Sequence, residues 1–105
     1  MSSNINFLIN KIKKNRFKNP KKSYTSFLIK KGSDFCIKKL QEEFFELKKE
    51  LISKNKKKII YETADVIYHL LVLLEKKKVN FLNVVKELKK RQKISGIEEK
   101  KNRKK

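Results

Sequence analysis

Six of the eleven acidic residues of this 105-residue chain, Glu42, Glu43, Glu46, Glu50, Glu62 and Asp65, fall within 24 positions, and the first 33 residues contain none. In the stretch "QEEFFELKKEL" (41–51), Glu43, Glu46 and Glu50 stand at i, i+3 and i+7, one stripe of a helix, and Glu42 lies four residues before Glu46. Glu62 and Asp65 are again three apart and interrupt a face that is otherwise nearly all apolar. Carboxylates at i and i+3 repel each other weakly on an exposed helix and far more where water is excluded, so a cation should compensate them. If the two helices are antiparallel neighbours, the pairs Glu43/Glu46 and Glu62/Asp65 converge as four oxygen donors. A hard divalent ion such as Mg²⁺ takes that donor type in octahedral coordination, with positions left for water and a substrate phosphate.

A plainer reading competes with this one. A glutamate-rich face flanked by Lys39, Lys48 and Lys49 is ordinarily a solvated, ion-paired surface, and that account suits Glu50 best. It suits Glu62 and Asp65 least, because their helix is apolar around the rest of its circumference. A di-iron bundle would need Glu-x-x-His pairs, whereas the spacing here is Glu-x-x-Asp. His69 follows Asp65 at i+4 and could orient its carboxylate, although a lone histidine in a packed helix is more often a satisfied core residue.

The elements that must position these groups are helical. Hairpin turns and strict alternation are scarce, while apolar residues recur at helical spacing, so the chain reads as all-α with four to five helices. The first helix is expected over about 5–17, with Ile5, Leu8, Ile9 and Ile12 on one face, ending before Pro20. A short second helix runs from Ser23 to Lys30, closed by Gly32, and Ser33 or Asp34 caps the third. Cys36, Leu40, Phe44, Leu47 and Leu51 form its apolar stripe. The lysine-rich segment 53–58 reads as the turn into a fourth helix over 59–77. Asn80 or its neighbour opens a fifth, with Phe81, Val84, Val85 and Leu88 facing inward. The segment 66–74, "VIYHLLVLL", is too short for a membrane span of about 20 residues. Its Leu70–Leu74 belt is apolar on every side and must be buried all round, which a small domain achieves by forming a dimer or higher oligomer. One domain over 1–92 and a basic, disordered tail over 93–105 are expected.

Lysine and arginine number 30 against 11 acidic residues, for a formal net charge of +19. The basic residues are spread along the whole chain and only three are arginine, Arg16, Arg91 and Arg103, which argues against a specific nucleic-acid reader built on arginine forks and stacking platforms. Cys36 is the only cysteine, so no intramolecular disulfide forms, and the cytoplasm is the expected location. The start, "MSSNINFLINKIKK", lacks the apolar length and cleavage site of a signal peptide.

Glu42-Glu43-x-x-Glu46 followed after 15 residues by Glu62-x-x-Asp65 resembles the metal signature of the all-α nucleoside triphosphate pyrophosphohydrolases, the MazG-like superfamily. The segments "SYTSFLIKKG" (23–32), "KKLQEEFFE" (38–46), "YETADVIYHLLVLL" (61–74) and "VVKELKKRQ" (84–92) are similar to one branch, the phosphoribosyl-ATP pyrophosphohydrolases. The likeness covers roughly 5–92; Gln41 departs from it, standing where the family commonly has glycine. It implies a helical homodimer that uses Mg²⁺ to hydrolyse phosphoribosyl-ATP to phosphoribosyl-AMP and pyrophosphate, the second step of histidine biosynthesis. In many bacteria this enzyme is fused behind a cyclohydrolase; at 105 residues a stand-alone version is expected. On this likeness Glu43, Glu46, Glu62 and Asp65 are metal ligands. Glu42, Glu46 and Glu62 form the catalytic set, with Glu42 a base or a further ligand. Ser23, Tyr24, Thr25, Lys38 and Lys39 are the substrate contacts. A house-cleaning dNTP or NTP pyrophosphatase using the same carboxylates is the alternative enzyme, and a non-catalytic basic protein that coats nucleic acid is the alternative outside enzymes.

Overall fold

A computed structural model describes residues 2–92 of the protein; the tail expected over 93–105 lies outside the described residues. With only two glycines and one proline in the chain, helical runs are seldom interrupted. They form α1 (Ser2–Asn15), α2 (Tyr24–Lys31), α3 (Ser33–Ser53), α4 (Lys56–Lys76) and α5 (Phe81–Arg91), the all-α arrangement expected.

The connection between α3 and α4 determines where the carboxylates fall. It is two residues long and not the 53–58 turn read from the sequence, because Asn55 caps α4 and its side-chain oxygen accepts from the Lys58 N–H. Lys54 takes a left-handed conformation (φ 65°) and donates its N–H to the Glu50 carbonyl, ending α3. So short a link makes α3 and α4 antiparallel neighbours packed along their length. Between α2 and α3 the chain turns on Gly32 alone, at φ 104°, where a side chain would be strained. Gly32 also replaces the expected Ser33 or Asp34 as the residue capping α3, with no side-chain cap bond. Asp34 lies instead in the first turn, where a negative charge suits the helix dipole.

The core is shared by four helices: Ile12 of α1, Leu28 and Ile29 of α2, Cys36 of α3, and Leu71 and Val72 of α4. Burial of each of these Ile, Leu and Val side chains contributes roughly 1.5–3 kcal/mol. The Cys36 thiol donates to the Leu28 carbonyl, and burial pushes its pKa up, so it remains a thiol. Arg16, just past α1, donates to a Glu75 carboxylate oxygen at 2.7 Å and ties the ends of α1 and α4 together.

Within the single chain the Leu70–Leu74 belt is only partly covered: Leu71 and Val72 are buried and Leu70 is 38% exposed, because α1, α2 and α3 do not surround α4. Two other apolar stripes are less buried than their patterns suggest. On α3, Cys36 and Leu47 are buried while Phe44 (57%) and Leu51 (52%) face solvent. In α5 no residue is fully buried: Phe81 reaches the core margin, Val84 and Val85 are half-buried and Leu88 is exposed. Among the described residues no helix is long and apolar enough to cross a membrane.

Candidate metal centre

The α3–α4 hairpin sets Glu43 opposite Glu62 and Asp65, and one carboxylate oxygen from each lies within 4.8 Å of the others. Two oxygens facing each other across a hard divalent ion stand about 4.1 Å apart for Mg²⁺ and roughly 5 Å apart for Ca²⁺. The three half-buried carboxylates therefore fit such a cation with small side-chain movements. Their electrostatics point the same way. In a chain of net charge +19, none of the three has a cationic partner within ion-pairing distance among the described residues. Partial desolvation, then the charges of Asp65, Glu43, Glu46 and Glu50, push the Glu62 carboxyl above the usual carboxylate range. Anions held together without a cation form a site that a divalent ion would relieve.

The other glutamates of α3 are placed differently. Glu46 lies outside the trio and pairs with Lys49 at 3.8 Å, half exposed. Glu42 pairs with Lys39 at 3.2 Å, also half exposed, and that carboxylate raises the pKa of the Lys39 ammonium. Glu50 has no ion pair among the described residues and instead accepts from the Ser53 hydroxyl in an exposed hydrogen bond, while its charge is felt at Glu62. Lys38 is exposed and pairs with none of the described carboxylates.

The second helix brings hydroxyls toward the same part of α4. Ser23 caps α2, accepting from the Ser26 N–H, and its hydroxyl donates to the Asn15 carbonyl. Tyr24 stacks on Tyr68, with its hydroxyl 3.4 Å from His69 Nε2. Thr25 hydrogen-bonds the Tyr68 hydroxyl. His69 does not orient the Asp65 carboxylate: its Nδ1 stands 2.8 Å from the Asp65 backbone carbonyl. A carbonyl only accepts, so Nδ1 carries a proton and donates it to Asp65. Tyr68 is the site neighbour that its sequence segment alone did not single out; a hydroxyl one turn beyond Asp65 was the available signal.

A helical hairpin presenting three converging carboxylates places the protein among all-α domains of MazG-like fold with a candidate divalent-cation centre. The phosphoribosyl-ATP pyrophosphohydrolase family model matches residues 6–92. The chain is 44% identical over 80 residues to a phosphoribosyl-ATP pyrophosphatase of Ignicoccus hospitalis, covering 76% of this chain and 78% of that one. It is 42% identical over 85 residues to the phosphoribosyl-ATP pyrophosphatase of Paracoccus denitrificans, covering 81% and 79%. It also matches the histidine biosynthesis bifunctional protein HisIE of Helicobacter hepaticus, 44% identical over 93 residues, or 89% of this chain and 40% of that protein. The chain belongs to the phosphoribosyl-ATP pyrophosphohydrolase family.

Proposed function

We infer that the protein hydrolyses phosphoribosyl-ATP to phosphoribosyl-AMP and pyrophosphate in histidine biosynthesis, with Mg²⁺ at Glu43, Glu62 and Asp65. The observation that carries the reading is that this trio has no cationic partner among the described residues of so basic a chain. A bound Mg²⁺ would supply charge neutralisation for the triphosphate and acidify a water for attack on the α–β phosphoanhydride. The remaining roles fall to side chains. Surface pairs such as Glu46–Lys49 and Glu42–Lys39 contribute about 0–1 kcal/mol, so either is readily exchanged. Released from Lys49, Glu46 would be a fourth oxygen donor to the ion. Released from Lys39, Glu42 accepts the proton of the attacking water, and Lys39, with Lys38, meets phosphate oxygens as a point charge. The half-exposed ring of Tyr24 and the hydroxyls of Ser23 and Thr25 flank the substrate on the α2 side.

The test is pyrophosphate release from phosphoribosyl-ATP with Mg²⁺ and with EDTA, set beside a panel of dNTPs. Metal-dependent turnover of phosphoribosyl-ATP above every dNTP is expected. Preference for a dNTP would favour the house-cleaning alternative. No turnover together with tight, steeply salt-dependent nucleic-acid binding would replace the enzymatic reading.

The active form is a homodimer. Phe44, Leu51, Ile67 and Leu70 leave apolar surface exposed along α3 and α4, and a second copy laid on that hairpin would cover it. Sedimentation should return a dimer at micromolar concentration, and a stable monomer would remove the idea. The lone buried thiol of Cys36 suits a reducing, cytoplasmic compartment.

A further inference from the structure

A concavity of about 360 Å³ opens beside Tyr24, between α1 and the start of α2. Lys11, Lys18 and Lys22 stand on its walls, with Tyr24, Thr25 and Tyr68 among its lining. A second hollow along α1, of about 310 Å³, shares Lys11 and Lys18. Lysines are everywhere in this chain, but these are set apart by what they lack. No carboxylate lines either hollow, the first 33 residues contain no acid, and none of the three ammonium groups joins an ion pair among the described residues. Three like charges around a ligand-sized hollow repel one another until an anion enters.

The hollow and the carboxylates share α4. Tyr68 lines it and sits three residues beyond Asp65, about 4.5 Å further along the axis of α4. Tyr24 lines it too, and its hydroxyl reaches His69, whose other nitrogen bonds the Asp65 carbonyl. An anion-seeking hollow and a cation-seeking trio thus flank one stretch of α4. A molecule that spans both must carry a phosphate at each end. The substrate of the proposed function is such a molecule, with a triphosphate on one ribose and a monophosphate on the other.

We propose that the hollow walled by Lys11, Lys18 and Lys22 binds the 5-phosphoribosyl end of the substrate while its triphosphate lies at Glu43, Glu62 and Asp65. This rests on the function inferred above and makes the lysines specificity determinants: they distinguish phosphoribosyl-ATP from ATP, which lacks the second phosphate. They bind the substrate and take no part in the bond cleavage.

The triple variant K11Q/K18Q/K22Q tests it, with K86Q/K89Q/K90Q on the exposed face of α5 as a control of equal charge change. The expected result is a KM for phosphoribosyl-ATP raised about 30-fold, as loss of charge-assisted phosphate contacts implies, with kcat within about 3-fold. The inhibition constant of ATP should stay within about 2-fold, since ATP makes no contact there. Replacing the same lysines by arginine should restore most of the KM. A KM no different from the control's overturns the proposal, and so does an equal weakening of ATP, which would mean general electrostatic steering. If the parent itself leaves phosphoribosyl-ATP untouched, the function fails separately, and titration of the metal-free protein with ribose 5-phosphate decides the hollow. Amide shifts within 11–25 that vanish in the triple variant support it, and their absence from the parent overturns it.

Discussion

The acidic residues of α4 carry the same charge into opposite situations at its two ends. Glu75, near the C-terminal end, has Arg16 at 2.7 Å and Lys13 at 3.9 Å, and its side chain is only 17% exposed. Glu62 and Asp65, in the N-terminal half, have no cation among the described residues; their close companion is a third carboxylate, Glu43. Abundant lysine has therefore not neutralised acids indiscriminately. Where charge is matched within the chain, it joins α1 to α4 and serves the fold. Where it is left unmatched, no ion pair within the described residues offsets the repulsion, and these are the carboxylates proposed to take a divalent cation.

The strongest way to break this contrast is to remove an unmatched charge. Glu62→Gln or Asp65→Asn should lower kcat/KM for phosphoribosyl-ATP by about 100-fold or more, beyond the typical effect of losing a residue that merely supports a metal ligand. In EDTA each variant should melt no lower than the parent. The sign follows from Glu62, whose folded-state pKa is raised by partial desolvation and by its acidic neighbours. The favourable contribution of such a group is present below its unfolded pKa and is lost as pH rises through the folded value, so at neutral pH its ionised form opposes folding. Calorimetry at pH 7 that found either metal-free variant several degrees less stable would make these carboxylates part of the fold.

Next in size is the matched end. Arg16→Met or Glu75→Gln leaves a partly buried charge or acceptor without its partner and should lower the urea-derived stability by about 1–3 kcal/mol. Turnover well below the melting temperature should be retained. The double variant R16M/E75M should recover part of the loss, because no charge is then stranded. Loss of activity without loss of stability would place this pair in the site instead.

Metal linkage sharpens the same contrast from the ligand side. With Mg²⁺ at ten times its dissociation constant, the parent should gain about 1.4 kcal/mol. Differential scanning calorimetry should find the same gain in R16M and little of it in the Glu62 and Asp65 variants. An equal gain in all of them would put the ion elsewhere.

The convergence of Glu43 with Glu62 and Asp65 was legible in the sequence because i, i+3 spacing fixes a helix face and a short link between two long helices makes them antiparallel. The pairing of Glu46 with Lys49 was not, since the helix geometry that puts Glu46 beside Glu43 does not say which neighbour its flexible side chain meets. His69 shares a face with Asp65, yet its ring bonds the backbone of that residue and not the side chain. Arg16 and Glu75 lie 59 residues apart, beyond the reach of any local pattern. The apolar stripe of α3 and the amphipathic α5 were readable as patterns, but a pattern does not say what covers a face. Phe44, Leu51 and Leu88 remain uncovered in the single chain. Asn55 was read as part of a turn and is a cap, because lysines on either side obscured where α4 begins.

The smallest expected effect tests where the unmatched region ends. Glu50 lies one turn beyond Glu46 on α3, accepts from the Ser53 hydroxyl at 3.1 Å, and is the weakest of the carboxylates acting on Glu62. It is close enough to be felt and is not among the three converging groups. Glu50→Gln keeps the hydrogen-bond acceptor for Ser53 and removes only a distant negative charge, an interaction that water and salt largely screen. The variant should therefore hold kcat/KM within about 3-fold of the parent, the scale of a screened surface charge. Its melting temperature in EDTA should be unchanged, and its Mg²⁺ affinity slightly reduced in low salt, recovering parity with the parent as ionic strength rises. A loss as deep as that of Glu62→Gln, unaffected by salt, would mean that Glu50 touches the metal or the substrate directly. The centre would then extend a further turn along α3, toward the link with α4, and the boundary drawn here between matched and unmatched charge would lie in the wrong place.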